Sequence, residues 1–116
     1  MKKISGGKYH AMRKKKLYER HSPARLTTLG AKKVKALKQK GGEIKRVLLA
    51  TDHAFVLDQK TKKGKKVKIK AVLQIPSNRY LKNVLMKGAI IDTEMGKARI
   101  TNRPGQEGNI FAVLTN

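Results

Sequence analysis

No cysteine and no tryptophan occur in the 116 residues, and the aromatic side chains amount to three Tyr and two Phe. The first absence excludes a disulfide framework and zinc sites built on thiolates. So few rings argue against a single-strand platform that works by stacking several bases. No run of about 18 apolar residues exists, so no helix is expected to span a membrane. The N-terminus is basic but has no apolar stretch behind it, unlike a secretory signal. Acids are scarce too: seven stand against 29 Lys and Arg, for a net charge of +22. Such an excess fits a nucleic acid or an acidic membrane face. The membrane alternative requires an amphipathic helix with bulky apolar anchors, and the most basic stretch offers very few.

That stretch is Met1 to Gly42, with fourteen Lys and Arg against one acid, Glu19, or +13. It holds too little apolar mass to offset the entropy of ordering itself, so it reads as a cationic arm awaiting a polyanion. Its candidate phosphate contacts are Lys2, Lys3, Lys8, His10, Arg13, Lys14, Lys15, Lys16, Arg20 and Arg25, with Gly6 and Gly7 permitting close backbone approach. Further along come Lys32, Lys33, Lys35 and Lys38. There Ala31, Val34 and Leu37 fall at i, i+3 and i+6, which predicts a short helix over 28–39 ended by Gly41-Gly42. Like-charge crowding of its lysines opposes that helix in free solution.

Residues 43–116 are a different polymer. Fifteen Lys and Arg oppose six acids, or +9, and the period falls to two. Strands are expected at 46–51 and 53–57, with Asp52 at an irregular junction, then a polar turn with Gly64 available for positive φ. In the next strand Val67, Ile69, Ala71 and Leu73 face one way, with Lys66, Lys68 and Lys70 opposite. Pro76 breaks it; a strand resumes over 79–86, a hairpin follows with Gly96 at its turn, then a loop over 102–109, and a last strand ends near Leu114. About 74 residues with turns at this spacing predict an all-β fold, a small antiparallel six-stranded β-barrel carrying a basic, largely extended N-terminal arm. Closure is favoured because a lone small sheet leaves edges exposed. A core of that size is marginal alone, so a binding partner is its natural support.

The barrel adds its own candidate RNA contacts: Lys45, Arg46, Lys62, Lys63, Lys65, Lys66, Lys68, Lys70, Arg79, Lys87 and Arg103. The bland reading of the strand lysines is an edge guarded against aggregation. Arg103 sits beside Pro104-Gly105, a rigid turn suited to holding a guanidinium fork toward phosphate. Catalysis has little to work with. His10 and His21 lie in the arm, and His53 adjoins Asp52, but neighbouring strand residues point to opposite faces and form no relay. Asp92 and Glu94 read as turn residues balancing Lys97 and Arg99. No phosphate-binding Gly-Lys-Ser/Thr loop and no metal-spaced His cluster is present, so the reading is of a protein that is not an enzyme and uses no cofactor.

Several motifs then appear in order: Gly6-Gly7-Lys8, Lys14-Lys15-Lys16-Leu17-Tyr18-Glu19, Thr28-Leu29-Gly30, Gly41-Gly42, Lys87-Gly88-Ala89-Ile90-Ile91, and 102–108 with its Arg103-Pro104-Gly105. Together they resemble the small-subunit ribosomal protein family "S eight-e" of archaea and eukaryotes, in its compact archaeal form. The resemblance runs from about Gly6 to the C-terminus. It implies a β-barrel body, a basic extension threading small-subunit ribosomal RNA, neighbouring ribosomal proteins as partners, a cytoplasmic location in the ribosome, and a structural role without a small-molecule substrate. Two alternatives stay open on the sequence: a ribosome-assembly factor and an architectural DNA-binding protein.

Overall fold

The computed structural model describes residues 1–10, 13–76 and 80–115. Among these residues nine strands form in chain order: β1 (Thr27–Leu29), β2 (Lys33–Lys38), β3 (Ile44–Thr51), β4 (His53–Leu57), β5 (Gly64–Gln74), β6 (Val84–Leu85), β7 (Ile90–Thr93), β8 (Gly96–Ile100) and β9 (Phe111–Leu114). Two 3-10 turns, Leu17–Glu19 and Lys40–Gly42, accompany them. No α-helix occurs among the described residues, and none therefore is long and apolar enough to cross a membrane.

The barrel read from the strand pattern is present, closed in the order β4-β5-β7-β8-β9. Its wall has five strands rather than six; β3 and β6, which cover two of the expected strands, belong to a separate four-stranded sheet, β2-β3-β1-β6. The pairs are antiparallel except β4–β9, which is parallel. Parity requires this: an odd number of strands cannot alternate in direction all the way round, so one neighbouring pair must run together. A five-stranded wall also leaves a narrow interior. Ala54, Ala98 and Ala112 alternate there with Val56, Val67, Ile69, Ile91 and Ile100, all at most 3% exposed.

The helix expected over 28–39 is not formed. Those residues instead hold β1, which runs parallel to β3, and β2, antiparallel to β3. Three apolar residues matched a helical period, but the lysines between them find room on an exposed sheet edge, where β2 lies. A strand also relieves the like-charge crowding, since successive side chains point to opposite faces. β1 and β2 thus pair with residues beyond Gly42, and the described residues before β1, 1–10 and 13–26, stay outside the named strands. The radius of gyration is 19.0 Å, against roughly 13 Å for a compact chain of this length, as an arm extending from the body requires.

One core joins the sheet to the barrel. Leu48 of β3 and Leu85 of β6, each 1% exposed, cluster with the barrel's interior residues, and Leu29 packs against them. Buried Thr27 donates its hydroxyl to the Leu48 carbonyl at 2.8 Å, satisfying both groups. Two local expectations shift. In β5 the register slips between Ile69 and Ala71 and again before Gln74, so the alternation changes phase: Val72 packs on the core while Ala71 and Leu73 are exposed. The strand expected over 79–86 shrinks to Val84–Leu85, with Arg79 outside the described residues.

Where the arm enters the body, it passes the loop over 102–109. A Cβ on Gly105 would lie 2.9 Å from the Arg25 carbonyl oxygen, so only glycine allows this approach. Gly105→Ala must push backbone from backbone, at a cost of about 1–3 kcal/mol. Limited trypsin digestion checks it: cleavage after Arg25 accelerates and the melting temperature falls, whereas unchanged digestion and melting would contradict the packing.

Candidate nucleic-acid interface

The cationic side chains fall into connected surfaces. In the arm, Lys2, Lys3, Lys8, His10, Lys14, Lys15, Lys16, Arg20 and Arg25 are all exposed. The first ten residues form a small turn: Lys3 N–H donates to the Gly7 carbonyl at 2.7 Å and Gly6 sits at φ +82°. Gly6 therefore serves the turn itself. Lys3 and Lys16 lie over the rings of Tyr9 and Tyr18 at 5.5 and 6.0 Å, which holds their stems without removing their charge.

Arg13 is the exception in the arm. Its two terminal nitrogens donate to both Glu19 carboxylate oxygens at 2.7 and 2.6 Å. Among the described residues this is the one ion pair between Lys or Arg and a carboxylate; Asp92 and Glu94 form none with Lys97 or Arg99. The pair raises the Arg13 pKa and holds that of Glu19 below the usual carboxylate range. Both groups are in water, so the contact contributes little to stability; its effect is to occupy one cation of the arm. Glu19→Gln should release Arg13, tighten binding to a phosphate backbone about fivefold near 0.1 M salt, and steepen the salt dependence by about one contact. Salt titrations of the two forms check this, and equal slopes would contradict it.

A second surface runs along β2, where Lys33, Lys35 and Lys38 are exposed, with Lys32 before the strand and exposed Arg46 on β3 paired to Ala36. Lys45 behaves differently: it is half-buried, and its Nζ donates to Gln106 Oε1. It anchors the loop over 102–109. That loop is further fixed by Asn102, which donates to Glu107 and to the Asn109 carbonyl at 2.8 Å, and by the Pro104 carbonyl, which accepts from Leu48 N–H at 3.1 Å. Arg103 is exposed on this fixed loop. It lines one cleft of about 350 Å³ together with Arg25 and Lys87.

The third surface is the barrel wall. Lys65, Lys66, Lys68 and Lys70 are exposed on β5, with Val67 and Ile69 turned inward between the last three. The turn beside it carries Lys62 and Lys63. Asp58 shapes that turn by accepting from Lys60 N–H at 3.0 Å and from the Thr61 hydroxyl at 2.8 Å. The positive-φ residue is Lys62, at +55°, and not Gly64. The Asp58 pKa is lowered, first by the Thr61 hydroxyl and then by the Lys60 N–H. A lowered carboxyl contributes order that is complete above its ordinary pKa and lost as pH falls through the lowered value. The amide signals of 58–63 should therefore hold steady to about pH 4 and change only below it. An NMR pH titration reads this; a turn that loosens well above that range would contradict it.

Asp52 and His53 do meet, contrary to the expectation from strand alternation. Asp52 Oδ1 and His53 Nδ1 lie 2.6 Å apart, because Asp52 occupies a bend between β3 and β4, where alternation does not apply. The contact lowers the Asp52 pKa. His53 borders a cleft of about 150 Å³ that Lys32 and Lys66 also line, and this cleft joins the β2 surface to the barrel wall. Among the described residues no three His, Asp or Glu side chains gather as metal ligands. Arg99, exposed on β8, and the exposed rings of Phe55 and Phe111 are not among the contacts expected from the sequence. Their signal was present: Phe55 alternates with inward Ala54 and Val56, and Phe111 precedes inward Ala112.

A closed small barrel, an arm, and cations exposed over both define a polyanion-binding β-barrel protein. A family model described as Ribosomal protein S8e matches residues 1–115. The chain is 47% identical to the small ribosomal subunit protein eS8 of Methanocorpusculum labreanum, covering 98% of this chain and 93% of that one. With the protein of the same name from Methanococcus aeolicus it shares 42% identity, over 99% and 92% of the two chains. For Sulfolobus acidocaldarius the identity is 41%, over 97% and 91%. The chain belongs to the ribosomal protein S8e family.

Proposed function

We propose that this protein is a structural constituent of the small ribosomal subunit, where it binds and stabilises folded small-subunit rRNA without catalysing a reaction. It works in the cytoplasm, within the ribosome, against rRNA and neighbouring ribosomal proteins. The observation that carries the reading is the distribution of charge. Exposed cations cover the arm, the β2 edge and the β5 wall, and among the described residues a single Lys/Arg–carboxylate pair offsets them. A surface of this kind recognises backbone and shape, as folded RNA offers. The arm residues neutralise phosphates in RNA crevices, while Arg25, Lys87 and Arg103 hold a further phosphate where the arm meets the body. Lys45 is assigned to support of the loop over 102–109.

Co-sedimentation tests this reading. A structural constituent stays with mature small subunits through moderate salt; an assembly factor is found on immature particles and is missing from mature ones. Duplex DNA in competition with small-subunit rRNA at fixed salt decides the remaining alternative, since equal affinity would overturn an RNA-directed role.

A further inference from the structure

On the outside of the barrel, neighbouring strands set three side chains in one row: Lys66 of β5 opposite Phe55 of β4, and Phe55 beside Phe111 of β9. The two rings stack with centroids 5.8 Å apart and planes 28° from parallel. Each stays nearly half exposed, at 42% and 46%, and outward Leu57 beside them is 43% exposed. The wall thus carries its largest rings outside and its alanines inside. The narrow interior explains why phenylalanine is not turned inward, but not why it stands here in place of a polar residue. Clustered exposed apolar surface marks a contact site.

The rim identifies the occupant. On β5 Lys66 faces Phe55 and Lys68 lies two positions along, while on the other side Arg99 of β8 is paired with Val113 of β9, two positions from Phe111. Phe55 is shared by two hollows: an apolar groove of about 360 Å³ with Leu57, Phe111 and Val113, and the polar cleft with Lys32, His53 and Lys66. Among the described residues no carboxylate lines the cleft, and Asp52, next in sequence to His53, is in contact with the His53 ring. Aromatic faces beside unopposed cations suit a ligand that combines a flat π surface with phosphate, as an unstacked nucleotide does. An apolar protein surface would leave those cations unmatched.

We infer that the Phe55–Phe111 pair is a stacking platform for one unpaired rRNA nucleotide, whose flanking phosphates reach Lys66 and Lys32. The inference rests on the rRNA-binding role above and adds a base contact to a surface otherwise reading backbone. Two rings hold one base, so it does not conflict with the scarcity of aromatics.

The full chain is titrated with a transcript of small-subunit rRNA over a range of salt. Doubly substituted Phe55→Leu, Phe111→Leu keeps apolar bulk but loses the π faces; its affinity should fall about tenfold or more, with the salt slope unchanged. Phe55→Tyr, Phe111→Tyr should bind as the parent does. A leucine variant that melts normally and binds within twofold of the parent would overturn the platform while leaving rRNA binding intact. Failure of the parent chain to bind rRNA would overturn both. A photoreactive residue at Leu57 in assembled subunits reads the site without disturbing the rings. It should label an unpaired rRNA nucleotide, and labelling of protein alone would overturn the inference.

Discussion

Replacing Lys14, Lys15, Lys16 and Arg20 with Gln should lower affinity for small-subunit rRNA about 10³-fold near 0.1 M salt. The estimate follows from counterion release: each phosphate contact contributes about 0.7–0.9 to the slope of log affinity against log salt. Four lost contacts remove about three units of slope, so the defect should shrink as salt rises. All four side chains are exposed and make no ion pair with a carboxylate, so the melting temperature should stay within a degree or two. Salt-dependent binding with parallel melting curves separates this outcome from misfolding. A loss of affinity that is equal at every salt concentration would mean that these residues act other than through phosphate.

Leu48→Ala is expected to have the opposite profile. Leu48 is 1% exposed in the cluster that joins the four-stranded sheet to the barrel. Its truncation removes buried methyl groups and leaves a cavity, at a cost of about 2–5 kcal/mol. A domain of this size has a total stability toward the low end of roughly 5–15 kcal/mol, so the loss is a large share. Thermal unfolding should move down by roughly 10 °C or more. Saturating rRNA should restore part of the loss, because a ligand of the folded state stabilises it by mass action. A shift of only one or two degrees would mean that sheet and barrel do not share one core.

The barrel was legible because its signals are local. Alternation in β4 and the start of β5, the glycine of the β7–β8 hairpin, and the breakers of 102–109 each depend on residues close in sequence. The losses came from tertiary placement. Residues 33–38 have three apolar side chains among lysines, a pattern that fits either period, and only pairing with β3 decides it. Bulges in β5 moved Val72 inward at Leu73's expense, and no periodicity announces a bulge. The short β6 is a strand because β1 lies beside it. At the interface, the sequence identifies which side chains are cationic but not which are free. Lys45 is tied to Gln106 and Arg13 to Glu19, contacts that require respectively the folded loop and a local turn. Phe55 and Phe111 lie 56 positions apart and become neighbours only when β4 and β9 close the barrel.

The central claim is that one rRNA is held by two surfaces, the arm and the barrel wall. Crosslinking in purified small subunits, with each linked peptide and nucleotide identified, tests it most directly. Links to small-subunit rRNA are predicted from the arm, at Lys8 or within Lys14 to Arg20, and from the barrel wall, at Lys65 to Lys70. Links from the barrel alone, with none from the arm before β1, would contradict it.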